Sequence, residues 1–270
     1  RTDSGRVSIS VSPSVIGNVE GAFSYMQDYP YMCWEQKLTK GVMAAHYKNL
    51  KPYLSEAITW PGSEGLTEAT LAIAAEHQAP NGGMVYYLPE DRYVSPYLSA
   101  YTAIAFNWLR KSGYVIPRDV EERLHGYLLE MLKRDVMPQF YSKGMSSTVR
   151  AVALAALSED KKISRSDLIR YRQYVPDMSL FGKAHYLLAL MNTPGTEDLR
   201  PSVTDMILAH AGQTGGKFIF SETLDNGYER IHATNLRDNC AVLSALLSYS
   251  ETTQGQAAAG DAPFKLVRTI

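Results

Sequence analysis

Two side chains that can condense with each other stand three positions apart in Tyr29-Pro30-Tyr31-Met32-Cys33-Trp34-Glu35-Gln36. Pro30 favours an extended entry and then a helix start nearby. A helix that begins between Tyr31 and Cys33 places Cys33 and Gln36 together on one face. A thiol and a carboxamide held at that spacing can join with loss of ammonia and leave a thioester. The former Gln36 carbonyl is then an activated acyl group. A nucleophile attacks it, Cys33 leaves as a thiolate, and the acyl bond to the attacker persists. A helix N-terminus favours the departing thiolate, because its first amides and its dipole present positive charge there. A group of this kind reacts once, which is the behaviour of a covalent trap and not of a turnover enzyme. Glu35 is expected to point away from the pair, solvated or salt-bridged.

Water hydrolyses an uncovered thioester, so such a site needs a roof. Tyr25, Tyr29, Tyr31, Met84, Tyr86 and Tyr87 are the candidates to crowd it, with plain core packing as the alternative for each. Competing chemistries are weaker. Asp238-Asn239-Cys240 resembles the Asp-x-Cys pair with which prenyltransferase-like enzymes on helical rings bind zinc. Zinc needs a further ligand, and no histidine follows Cys240, the nearest being His232. Cys240 then reads as a packed thiol in an apolar helix. A Cys33 hydrolase would need a histidine partner, and His46, His77, His125, His185, His210 and His232 are scattered without a partner string. No phosphate loop and no metal-spaced cluster is legible, so no cofactor and no metal are expected. An interaction scaffold stays open as an alternative should the thioester never form.

Composition narrows the partners. With 27 basic and 28 acidic side chains the net charge is −1, which gives no footprint for nucleic acid and no basic run for a membrane surface. The apolar fraction of 45% suffices for a core. No stretch approaches the roughly 20 apolar residues that cross a bilayer. The polar start, Arg1-Thr2-Asp3-Ser4-Gly5, is no signal peptide. Two cysteines are too few for a disulfide scaffold.

The elements that would position the pair are helices. Helical spacing runs over 66–77, 96–111, 118–133, 148–157, 165–174, 180–191, 201–211 and 235–249. Apolar, alanine-rich helices (97–109, 148–157, 180–191, 235–247) alternate with more polar ones (118–133, 165–174, 201–211). The first kind belongs inside and the second, with one apolar stripe, outside. The spacing is too irregular for a short-repeat array, and an all-α ring of helical hairpins in two layers, an α/α toroid, fits better. Glycine loops at 81–83 and 215–216 precede two of the inner helices as a loop or brief hairpin. Alternating residues over 6–12 and 264–270 predict short terminal strands of an adjoining β domain. The expected organisation is a strand segment over 1–17, the helical domain over 18–255, and a linker with a return strand over 256–270.

Cys-x-Glu-Gln after Tyr-Pro-Tyr resembles the thioester signature of the bacterial alpha-2-macroglobulins and, more distantly, that of complement proteins. The resemblance runs along most of the chain and includes the Asn81-Gly82-Gly83 loop followed by Ser99-Ala100-Tyr101. It implies an α/α toroid inserted in a β-rich domain and an internal Cys33–Gln36 thioester as the reactive group. It also implies target proteases captured through their lysine amines, and further shielding by other domains of a longer parent. That parent would be a broad-spectrum protease inhibitor of the periplasm, lipid-anchored at the inner membrane. Complement-type members carry a histidine in the loop after a Pro-Asp-Gly-like turn, where it helps the thioester reach hydroxyls. That place falls at Glu90 to Tyr93 here and holds no histidine, so amines are expected to react in preference to sugar hydroxyls.

Overall fold

Ser95, Ser142, Ser179 and Thr234 each turn a hydroxyl onto a backbone N–H in the first turn of the helix that follows. A polar N-cap satisfies one of the amides that a helix start leaves without a partner, so these four residues set where four long helices begin. The computed structural model describes residues 20–56, 58–88, 90 and 93–270. The strand expected over 6–12 lies outside them.

The helices are α1 (Glu20–Gln27), α2 (Trp34–Leu50), α3 (Leu66–Ala72), α4 (Pro96–Lys111), α5 (Arg118–Arg134), α6 (Lys143–Glu159) and α7 (Arg165–Tyr171). They continue with α8 (Leu180–Asn192), α9 (Arg200–Leu208), α10 (Asn235–Ser250), α11 (Thr253–Ala259) and α12 (Ala262–Val267). Short 3-10 turns follow α2, α3 and α7 and occupy Asn226–Ile231. One antiparallel hairpin, β1 (Ala211–Thr214) with β2 (Lys217–Phe220), closes through Gly215 and Gly216. Both glycines have positive φ, the backbone that a two-residue hairpin turn demands.

The even-numbered helices form a series: α2 packs on α4, α4 on α6, α6 on α8 and α8 on α10. Helix α6 is buried at every position from Met145 to Ser158. The odd-numbered helices lie against this series, α3 on α2, α5 on α4, α7 and α9 on α8, and α11 on α10. Helix α5 buries Val120, Leu124, His125, Leu128, Met131 and Leu132, a single stripe at helical spacing. Helix α10 is less enclosed than expected of an inner helix, with Cys240 exposed and Val242, Ala245, Leu246 and Tyr249 buried.

The C-terminal segment differs from the sequence expectation. Residues 256–270, read as linker and return strand, are helical, and α11 and α12 both pack on α10. Thr252 caps the Gly255 N–H and Pro263 opens α12. Gly255, Ala259, Ala262, Pro263 and Leu266 are the buried positions. The alternation over 264–270 suits a strand locally. Burial of Leu266 with Ala262 and Pro263, spaced as on a helical face, decides for helix.

Candidate functional site

The site is the beginning of α2. Cys33 is its N-cap residue, with extended backbone at φ −71° and ψ 165°, so the helix starts one residue later than the expected window. Gln36 is the third helical residue, and its side chain folds back so that Oε1 accepts the Cys33 N–H at 3.0 Å. In return the Cys33 sulfur faces the Gln36 N–H, closing a reciprocal capping box. The thiol and the carboxamide therefore share one small space over the first turn.

Trp34 fixes this turn from beneath. It is fully buried, its Nε1 donates to Thr102 Oγ1 on α4 at 2.9 Å, and its ring stacks on His77. Its backbone N–H, an orphan of the helix start, donates to Tyr86 O at 2.7 Å. Tyr86 is placed by the 78–86 loop, where Met84 N donates to Ser99 Oγ and Gln78 bridges antiparallel to Met84. Gly82 sits at φ +90°, and a Cβ there would lie 2.3 Å from the Arg123 carbonyl of α5. A side chain at 82 would push the loop off α5 and carry Tyr86 away from the helix start.

Cys33, Glu35, Gln36, Tyr86, Tyr87, Tyr93 and His232 line an open pocket of about 510 Å³. Of the aromatic candidates, Tyr86 and Tyr87 are in its wall and Met84 is buried in the loop that carries them. Tyr25, Tyr29 and Tyr31 pack in sequence on one another instead, with tilted and edge-on rings, and Tyr25 and Tyr31 are exposed. Burial pushes the Tyr86 hydroxyl up to about 12, so it stays a neutral donor. Burial also raises the Cys33 thiol; the Gln36 and Glu35 amides pull it down, and the Glu35 charge adds to the rise.

Glu35 does not point away from the pair, as expected, but lines the same pocket. Thr39, which donates to Glu35 Oε1 at 3.2 Å and bonds the Tyr101 hydroxyl at 2.7 Å, holds it there. His232, one of six histidines that the sequence leaves without a partner string, also lines the pocket. It follows the 3-10 turn Asn226–Ile231, has φ +54°, and packs on the Tyr97 ring. Its left-handed backbone closes that turn as its C-cap. No local string of residues announces it.

The second cysteine is also not where expected. Cys240 is exposed and lines, with Ile104, Trp108, Phe181, His185 and Leu188, an apolar cavity of about 220 Å³. Neighbouring Asp238 is paired with Arg237 at 2.8 Å. Among the described residues no helix is long and apolar enough to cross a membrane.

No protein-family model matches the chain, and no curated protein matches it in sequence. Solved structures do. Native alpha-2-macroglobulin from Escherichia coli, spanning domain MG7 to the C-terminus, superposes with a TM-score of 0.72 at 18% identity, over 94% of this chain and 42% of that one. Salmonella alpha-2-macroglobulin reacted with methylamine gives 0.74 at 17% identity, over 95% of this chain and 17% of that one. Trypsin-activated alpha-2-macroglobulin from Escherichia coli gives 0.66 at 17%, over 88% and 16%. The chain thus spans less than half the length of each of these structures. Over nearly all of its own length it has the fold of one region of the bacterial alpha-2-macroglobulins.

Proposed function

We propose that this chain is the thioester domain of a bacterial alpha-2-macroglobulin-like protease inhibitor, and that Cys33 and Gln36 form its reactive bond. The observation that carries the reading is the reciprocal capping box, with the Gln36 side chain folded back onto Cys33 at the start of α2. The thiol adds to the Gln36 carboxamide carbon, ammonia leaves, and a thioester joins the two side chains. An amine of a captured protease then attacks the same carbon, an amide forms, and the Cys33 sulfur departs and takes a proton. The acyl donor is internal, so the reaction needs no cofactor and runs once.

The pocket suits a lysine. The Glu35 carboxylate attracts an incoming ammonium, and the His232 imidazole can accept the proton that the amine must lose before it attacks. Tyr86 and Tyr87 reduce access of water from one side, and domains of the parent outside this chain would cover the rest. Exposed Tyr87 in the pocket wall, and exposed Tyr31 and Met32 just before Cys33 in the chain, support that contact. They would equally serve a scaffold without a thioester, which is the second reading. The fold likeness to trypsin- and elastase-activated alpha-2-macroglobulins supports proteases as the partners. The alternating layers support closure of the helices into an α/α toroid.

Intact mass before and after methylamine tests the reading. A mass short by one ammonia, converted on treatment to a methylamide at Gln36 with a freed Cys33 thiol, is the expected result. A peptide map with Gln36 as an unmodified carboxamide in freshly isolated protein overturns it and leaves the scaffold. Methylamine against glycerol then tests selectivity, with methylamine incorporated preferentially.

A further inference from the structure

Away from the thioester pair, Glu121, His125 and Asp160 bring one ligand atom each to within 4.8 Å of one another. Glu121 and His125 are four residues apart on α5 and share a face, and Asp160 is the residue that ends α6. His125 is only 5% exposed, and apart from each other neither its Nε2 nor Asp160 Oδ2 has a polar partner. These two atoms face each other at 3.4 Å. That separation is about the edge of a tetrahedron whose nitrogen and oxygen donors stand roughly 2.0–2.1 Å from a zinc ion.

We infer that this cluster is a divalent transition-metal site, best suited to zinc. His125 Nε2 and one oxygen each from Glu121 and Asp160 are the ligands, and water takes the fourth position. An imidazole with two carboxylates selects zinc over calcium or magnesium, which prefer all-oxygen shells. Arg110 stands in for the cation here. It bonds Glu121 and, at 3.1 Å, Asp160 Oδ1, and so balances the two carboxylates. Its side chain is 39% exposed, so it can swing into water as the metal enters. Binding exchanges one cation for another and ties the outer helix α5 to the end of the inner helix α6.

The site does not depend on the thioester reading. Arg110 is at the last turn of α4, while Ser95 and Ser99, which hold the 78–86 loop, are at its start. A helix of that length separates its ends by about 20 Å.

Zinc is titrated into the full chain carrying Cys240→Ser, which removes the exposed thiol as a rival ligand, in competition with a chromophoric chelator. Thermal unfolding with and without zinc is the second readout, and circular dichroism checks that each variant is folded. One equivalent should bind and raise Tm, because a ligand of the native state alone stabilises it. His125→Gln and Asp160→Asn should each weaken binding about tenfold or more. Arg110→Gln should tighten binding severalfold while lowering the metal-free Tm, a gain that a merely structural ion pair would not give. Absence of binding in the Arg110→Gln protein, or equal binding when His125 is Gln, overturns the proposal.

Discussion

The two cysteines share a pKa direction and little else. Loss of hydration raises both thiols, Cys33 as a buried side chain and Cys240 against the apolar wall it lines. Cys33 caps a helix start, with the amide of Gln36 at its sulfur and the carboxamide of Gln36 folded onto its own N–H. Cys240 sits inside α10, exposed on the wall of an apolar cavity, and caps no helix. A mid-helix thiol has no orphan amides facing it, because those amides are already bonded to carbonyls one turn back. What sets Cys33 apart is therefore its place at an N-terminus and the residue three positions on, not acidity of the sulfur. The comparison predicts that all acyl chemistry belongs to one cysteine.

The largest effect tests that claim directly. Cys33→Ser should abolish both the ammonia-deficient mass and methylamine uptake, while Cys240→Ser should leave both unchanged. Uptake that survives at Cys33→Ser, read by intact mass, breaks the distinction.

Stability should separate the two regions next. Trp34→Ala empties a fully buried site beside Cys33 and leaves Thr102 without its indole partner. It should cost about 3–5 kcal/mol, the range for large aromatic truncations in a core. Cys240→Ala removes a small exposed side chain and should stay within about 0.5 kcal/mol. Urea unfolding followed by tryptophan-independent circular dichroism gives both values, and similar losses for the two variants would erase the difference between the regions. A smaller cost belongs to Gln36→Ala. It removes the reciprocal cap and should destabilise by about 1 kcal/mol, together with complete loss of amine uptake.

Much of this was legible in the sequence, and for identifiable reasons. The Cys33–Gln36 spacing, the helix over Pro96–Lys111 and the alternation of enclosed and striped helices rest on local periodicity and caps, which are properties of neighbouring residues. His232 and the placement of Glu35 depend on which loops meet at one rim, and a chain without coordinates does not reveal that. The C-terminal misreading has the same origin. The residues 264–270 alternate like a strand, and only the packing of Leu266 against the rest of the core selects the helix. Likewise Glu121 and His125 show helical spacing in the sequence, but Asp160 joins them only through the contact of α5 with α6.

The smallest predicted effect concerns the Glu35 charge, and it is read in the Gln36→Ala background, where the Cys33 thiol is permanently free. Burial is the main cause of the raised thiol, opposed by the Gln36 and Glu35 amides, with the Glu35 carboxylate adding to the rise. Removing that charge by Glu35→Gln keeps the amides and the burial but withdraws one repulsion from the thiolate. The Cys33 pKa should move down, toward the ordinary thiol value without reaching it. Because a raised folded pKa makes the folded state hold its proton more tightly than the unfolded chain, Cys33 favours folding at neutral pH. That contribution is lost as pH climbs through the unfolded and then the folded value. Glu35→Gln should shrink it and shift the midpoint of the iodoacetamide rate profile of Cys33 to lower pH. Cys240, whose rise comes from desolvation alone, should keep its midpoint. An unmoved Cys33 profile would mean that the carboxylate is turned to solvent, and its role in drawing an ammonium to the thioester would fall with it.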